Sequence, residues 1–152
     1  MSSSRCSSDA LLAEARRQIA RVTPLQALEL QRDGALIIDT RSERARESFG
    51  IVPGSMHVPR TVLEWRADAE SPWRNPTLAG HRGVLIVICD HGWSSSLAAL
   101  SLTRLGHPFV ADVIGGIEAW SEAGLPMIEA PRNPLPPGEL PGMGGPQGEV
   151  SL

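Results

Sequence analysis

The 152 residues suit one domain with a tail, and a formal charge of −3 gives no reason to expect nucleic acid or an anionic membrane as a partner. No apolar run approaches the roughly 20 residues of a membrane span, and the start, Met1-Ser2-Ser3-Ser4-Arg5-Cys6, lacks the apolar core of a secretory signal. The expectation is a cytosolic protein whose two cysteines are free thiols. All 14 basic residues are arginine, which reads as the codon bias of a GC-rich bacterial genome.

Residues 1–22 read as an N-terminal extension carrying one helix. Leu11, Leu12, Ala15 and Ile19 share a face over residues 10–20. Thr23-Pro24 reads as a helix cap followed by a first-turn proline, and the helix it starts stops near Asp33-Gly34. Residues 35–39 read as a buried strand, 42–48 as a charged helical turn, 56–58 as a short strand after Pro53-Gly54, and 62–66 as a helix. Residues 71–83 are rich in turn formers and read as a loop.

The run Val84-Leu85-Ile86-Val87-Ile88 predicts a strand buried on both faces. Cys89-Asp90-His91-Gly92-Trp93 then forms a tight polar loop. Three serines before Leu97-Ala98-Ala99-Leu100 read as a helix N-terminus, with the helix over residues 96–105. Loop amides and a helix start favour a negative charge, and the thiolate is the nucleophilic form of cysteine, so Cys89 is the candidate reaction centre. The plain alternative is a buried structural thiol. Residues 110–114 read as another strand, and Gly115-Gly116 leads into a helix through Trp120. From Pro131 the chain holds six prolines and five glycines, the composition of an extended tail (residues 131–152). Strands alternating with helices predict an α/β fold, a parallel sheet with helices on both faces.

Three segments, in order, resemble one family. Ile37-Ile38-Asp39-Thr40-Arg41-Ser42 is similar to its strand ending in Asp-x-Arg. Gly50-Ile51-Val52-Pro53-Gly54-Ser55-Met56-His57-Val58-Pro59 is similar to its turn motif, with Ile51 where histidine is usual. Gly115-Gly116-Ile117-Glu118-Ala119-Trp120 with Gly124-Leu125-Pro126 is similar to its C-terminal motif. Cys89 with Gly92 stands where the family has its active-site loop. Over roughly Thr23 to Met127, the chain resembles a single-domain rhodanese, a sulfurtransferase homologue. The serine-rich helix start and Val62-Leu63-Glu64-Trp65-Arg66 resemble an actinobacterial subgroup.

The resemblance implies a rhodanese-like sheet of about five strands in residues 23–130. It also implies a Cys89 persulfide, taken from thiosulfate or another persulfide and passed to cyanide, a thiol or a protein acceptor, without metal or cofactor. Asp90, His91, Gly92, Trp93, Ser94 and Ser95 would form the cradle, with Gly92 supplying dihedrals closed to other residues. Asp39 and Arg41 are implied to be structural.

One departure stands out. Many thiosulfate-using members carry arginine five residues after the cysteine, and related phosphatases six; here those positions are Ser94 and Ser95. That argues against phosphatase activity, and against thiosulfate unless another arginine serves. Arg60 and Arg66 are the candidates for that anion-binding role. Asp90 adds a further negative charge. Taken by themselves, His91 reads as a solvated loop residue, Ser94 and Ser95 as helix caps, and Trp65, Trp73 and Trp120 as packing residues. His57 reads as structural and Cys6 as an idle terminal thiol. A non-enzymatic rhodanese module that binds a protein partner stands as the alternative function, and a redox-sensing thiol comes third.

Overall fold

The computed structural model describes residues 5–131; the predicted Pro/Gly-rich tail lies almost wholly outside them. The elements run α1 (Ser8–Gln18), β1 (Ala20–Val22), α2 (Pro24–Arg32), β2 (Leu36–Asp39), α3 (Glu43–Phe49), β3 (Met56–His57), a 3₁₀ turn (Arg60–Val62), α4 (Leu63–Ala67), α5 (Pro76–Ala79), β4 (Val84–Ile88), α6 (Ser94–Arg104), β5 (Phe109–Val113) and α7 (Gly116–Glu122). The five strands form one parallel sheet in the order β1-β5-β4-β2-β3. No helix among the described residues is long and apolar enough to cross a membrane.

Helices cover both faces, which is why β4 is apolar without alternation. Leu85 and Val87 join Ile38, Leu63, Leu78, Ala98, Ala99 and Leu102 on the face of α4, α5 and α6. Ile86 and Ile88 join Ala27, Leu28, Ile37, Val113, Ile117 and Trp120 under α2 and α7. Local chemistry sets several helix starts. Ser7 caps α1, Ser42 caps α3, and Thr23 forms a reciprocal capping box with Gln26 ahead of α2.

Three expectations are corrected. The helix expected over residues 10–20 stops at Gln18, and Ile19 is extended (φ −123°). Residues 20–22 become β1, which pairs in parallel with β5 at Ala20↔Ala111, Arg21↔Asp112 and Val22↔Val113. Sheet pairing overrides a weak local preference there, so residues 8–22 supply an edge strand and a helix packed on α6. The predicted loop over residues 71–83 contains α5, started by Asn75, whose side chain accepts the N–H groups of Thr77 and Leu78. Trp65 is largely exposed (55%) on α4, whereas Trp120 is fully buried and donates to the Pro126 carbonyl at 2.9 Å.

Beyond β2, the buried Asp39 carboxylate accepts from the Arg41 backbone N–H (3.1 Å) and from its guanidinium (3.0 and 2.8 Å). Arg41 also donates to the Gly50 carbonyl (2.8 Å), closing the segment around α3. Arg46 Nε also reaches Asp39 Oδ2 at 3.3 Å, so the carboxylate keeps one partner when Arg41 is lost. Stranding a buried charge costs about 3–5 kcal/mol, so Arg41→Met should lower unfolding free energy in urea titrations by less than that, and Arg41→Met with Arg46→Met by about the full amount.

A His57 ring nitrogen lies 2.7 Å from the Arg41 carbonyl, and burial holds its pKa below the ordinary 6.5. The unfolded chain therefore takes up this proton first as pH falls. His57 should contribute stability that is complete above about pH 6.5 and is lost as pH falls from there through the folded value. His57→Gln should flatten that slope in a pH series of denaturation curves; an unchanged slope would refute the assignment.

Candidate active site

Cys89 follows the last residue of β4, and residues 89–93 alone separate the strand from α6. The thiol is buried at 5% exposure, and its Sγ accepts the backbone N–H of Gly92 (3.2 Å) and of Ser95 (3.4 Å). Among the described residues, these two amides are the hydrogen-bond donors to the sulfur. A ring expected from all of Asp90 to Ser95 is thus narrowed to two. Amide donors aimed at one sulfur favour negative charge on it, without a metal.

The loop is shaped by close backbone approaches. Gly92 has φ +82°, and a Cβ there would lie 2.7 Å from the Gly115 nitrogen. Gly116 has φ +62°, and a Cβ there would lie 2.5 Å from the Cys89 carbonyl oxygen. That space admits the first amides of α7: Ile117 N–H donates to the Cys89 carbonyl (2.8 Å) and Glu118 N–H to the Asp90 carbonyl (3.2 Å). The paired glycines therefore serve contact with the loop as much as a turn.

Helix α6 begins at Ser94, two residues before its predicted start, with Trp93 at the cap position and no side-chain cap. Ser94 is exposed. Ser95 and Ser96 are fully buried, and each hydroxyl donates to Asp112 Oδ2 at 2.8 Å. The reading of Ser94 and Ser95 as helix caps is therefore corrected. A fully buried carboxylate on β5 competes for the Ser95 hydroxyl, and a charged acceptor makes the stronger bond.

Asp112 is also paired with Arg21, through Nε (2.9 Å) and Nη2 (3.3 Å). Arg21 Nη2 donates to the Gly92 carbonyl at 3.1 Å, and Arg16 Nη2 donates to the same oxygen at 2.9 Å. Arg16 Nε reaches Ser96 Oγ at 3.1 Å. Sequence reasoning missed Arg16, Arg21, Ser96 and Asp112. The one local signal was an acid inside an apolar strand, since a buried carboxylate needs partners.

His91 and Trp93 face outward beside the loop. His91 Nδ1 lies 2.6 Å from Glu118 Oε2, and its ring tilts against Trp93 at a centroid distance of 5.9 Å. Two recesses flank them. One, of about 450 Å³, is lined by His91, Trp93, Gly115, Glu118, Ala119 and Glu122. The other, of about 410 Å³, is mostly apolar and includes Phe49, Asp90, His91, Ile117 and Glu118.

Neither Arg60 nor Arg66 lines either recess. Arg60 is paired with Glu64 one turn along (2.8 Å). Arg66 is buried on the inner side of α4 and donates to the Trp73 carbonyl (2.6 Å), and burial disfavours its charged form. Both guanidiniums are thus engaged with partners on their own segment, Arg60 with Glu64 and Arg66 with the Trp73 carbonyl. Cys6 is a free, exposed thiol ahead of α1.

The sequence pattern of the rhodanese-like domain matches residues 23–123, and the chain belongs to that family. It is 32% identical over 112 residues to thiosulfate sulfurtransferase GlpE of Haemophilus influenzae (strain PittEE), spanning 72% of this chain and 94% of that protein. Among solved structures, it is similar to a protein of unknown function and possible tyrosine phosphatase from Rhodopseudomonas palustris CGA009. There the TM-score is 0.77 at 31% identity, covering 84% of this chain and 98% of that one. A thiosulfate sulfurtransferase from Pseudomonas aeruginosa superposes with a TM-score of 0.63 at 28% identity, over 80% of this chain and 22% of that one.

Gly92→Ala should destabilise the fold by about 1–3 kcal/mol, the cost of a strained backbone residue, and slow alkylation of Cys89. Unfolding curves and iodoacetamide kinetics check both effects.

Proposed function

We propose that the chain moves a sulfane sulfur through a persulfide on Cys89. Sulfur transfer is the reaction its thiosulfate sulfurtransferase relatives are named for, and the chain is a sulfurtransferase of the rhodanese-like family. The observation that carries the mechanism is the sulfur at the end of β4 beneath the Gly92 and Ser95 amides.

The Cys89 thiolate attacks the outer sulfur of a donor R–S–SH. A new S–S bond forms on Cys89, the donor S–S bond breaks, and its electron pair leaves with the thiolate R–S⁻. An acceptor thiolate then attacks the outer sulfur of the Cys89 persulfide, carries it away as R′–S–SH, and returns the Cys89 thiolate. Cyanide in the acceptor role would leave as thiocyanate. The two amides hold the charged sulfur in both half-reactions.

The outer surface beside the Cys89 loop points to the donor class. The charged side chains of its two recesses are Asp90, Glu118 and Glu122, with His91 already paired to Glu118, and Trp93 and Phe49 supply apolar surface. Carboxylates beside the loop repel the thiosulfate dianion more than a donor that carries fewer negative charges, such as a persulfide on a carboxylate-free thiol. A small-molecule or protein persulfide is therefore the favoured donor, and a thiol, free or on a protein, the favoured acceptor. The exposed Trp93 (65%) and Phe49 (51%) suit a protein carrier at this surface. Phosphatase chemistry is disfavoured: no guanidinium among the described residues donates to Cys89 Sγ, and the Ser95 hydroxyl is committed to Asp112.

Intact mass after treatment with a carboxylate-free alkyl persulfide (a cysteamine-type persulfide) should show one added sulfur atom, absent in Cys89→Ser. The rate with that donor should exceed the rate with thiosulfate by about tenfold or more, equal to about 1.4 kcal/mol of discrimination. A protein that gains no sulfur from either donor would overturn the persulfide reaction.

A further inference from the structure

Both amides on the Cys89 sulfur belong to residues tied down from behind. Gly92 donates its N–H to Sγ, while its carbonyl accepts Arg16 and Arg21. Ser95 donates its N–H to Sγ, while its hydroxyl is held by Asp112, which also binds Arg21 and Ser96. Gly92 is the residue whose φ of +82° makes the loop geometry possible, so its carbonyl is an effective place to fix the loop.

Two guanidiniums on one neutral carbonyl oxygen are costly unless charge balances them. Asp112 neutralises one, and Arg16⁺, Arg21⁺ and Asp112⁻ leave one positive charge behind the loop. A thiolate on Cys89 would balance it. The other polar side chains beside the loop, Asp90, His91 and Glu118, line the outer recess. Arg21 is placed for this by strand register, directly beside Asp112 in the β1–β5 pairing. Arg16 is presented by α1, which packs on α6. Both lie ahead of residues 23–123, the stretch that matches the family pattern.

We propose that Arg16 and Arg21 are positioning residues for Cys89, an N-terminal clamp that holds the Gly92 and Ser95 amides on the sulfur from behind. The clamp acts where an arginine five residues after the cysteine, here Ser94, is missing. It rests on the reading of Cys89 as the nucleophile. The segment carrying α1 and β1 is then part of the active centre.

The test uses the full chain with Cys6→Ser, so that Cys89 is the only thiol. The rate of Cys89 alkylation by iodoacetamide is followed against pH for wild type, Arg16→Gln, Arg21→Gln and Arg21→Lys, each checked by circular dichroism and a melting curve. The clamp predicts that each Gln variant alkylates about tenfold more slowly below the wild-type midpoint, a shift of about one pH unit upward, with kcat for sulfur transfer falling alongside. Arg21→Lys keeps the charge but not the two-pronged geometry, so it should follow the Gln variant. A lysine variant with the wild-type midpoint would show that charge alone acts, and would overturn positioning. Folded Gln variants with a lower melting temperature but unchanged midpoint and kcat would show a purely structural role and overturn it as well. If Arg21→Gln fails to fold, Arg16→Gln and Arg16→Lys, on the partly exposed face of α1, repeat the same comparison and decide the matter. Alkylation needs no sulfur donor, so absence of persulfide in the wild type would refute the proposed reaction while leaving the clamp's test intact.

Discussion

A sulfur atom held under two backbone amides is the constraint around which this structure is arranged. For both N–H groups to converge, the chain must turn from β4 into α6 within residues 89–93. One residue of that turn must adopt a positive φ. Side chains cannot supply such a cradle as cheaply, because backbone amides are already fixed by the fold and lose no rotamer freedom when they bind. The result is a largely buried thiol under two amide donors, a site suited to an anion with little surrounding water.

The rest of the domain holds that turn in place from several directions. Helix α7 presses its first amides onto the Cys89 and Asp90 carbonyls, an approach that only glycine at position 116 permits. The buried Asp112 gathers Ser95, Ser96 and Arg21 beneath α6. Farther along the sheet, Asp39 and Arg41 tie the segment after β2 to the Gly50 carbonyl and, through His57, to β3. These polar groups are buried and largely paired, so each specifies one arrangement of loops over a sheet that apolar packing alone would leave less defined.

On the open side the character changes. Asp90, Glu118 and Glu122 surround His91, and Trp93 and Phe49 stand exposed. The interior thus presents amide donors to the sulfur, while the outer surface beside the loop is acidic and aromatic. The charge distribution sets the two apart over the depth of one loop.

Much was legible along the chain because it depends on neighbours in sequence. The unbroken run 84–88 announced a strand covered on both faces, Thr23-Pro24 announced a capped helix, and the serines after Cys89 announced a helix start just beyond the strand. Other features were not legible, since their causes lie far away in sequence. Residues 20–22 carry little strand preference and become β1 only because β5 offers an edge. Ser95 looked like a cap until Asp112 claimed its hydroxyl. Arg16 meets Gly92 across 76 positions, and Arg60 and Arg66 turn to partners on their own side of the domain. Sequence alone therefore determined the α/β order and the placement of Cys89 at the turn from strand to helix, both products of local periodicity and turn chemistry. Which charges stand behind the sulfur, and which line the outer surface beside its loop, was decided only when the sheet aligned β1 with β5, because long-range electrostatics follow strand register and packing.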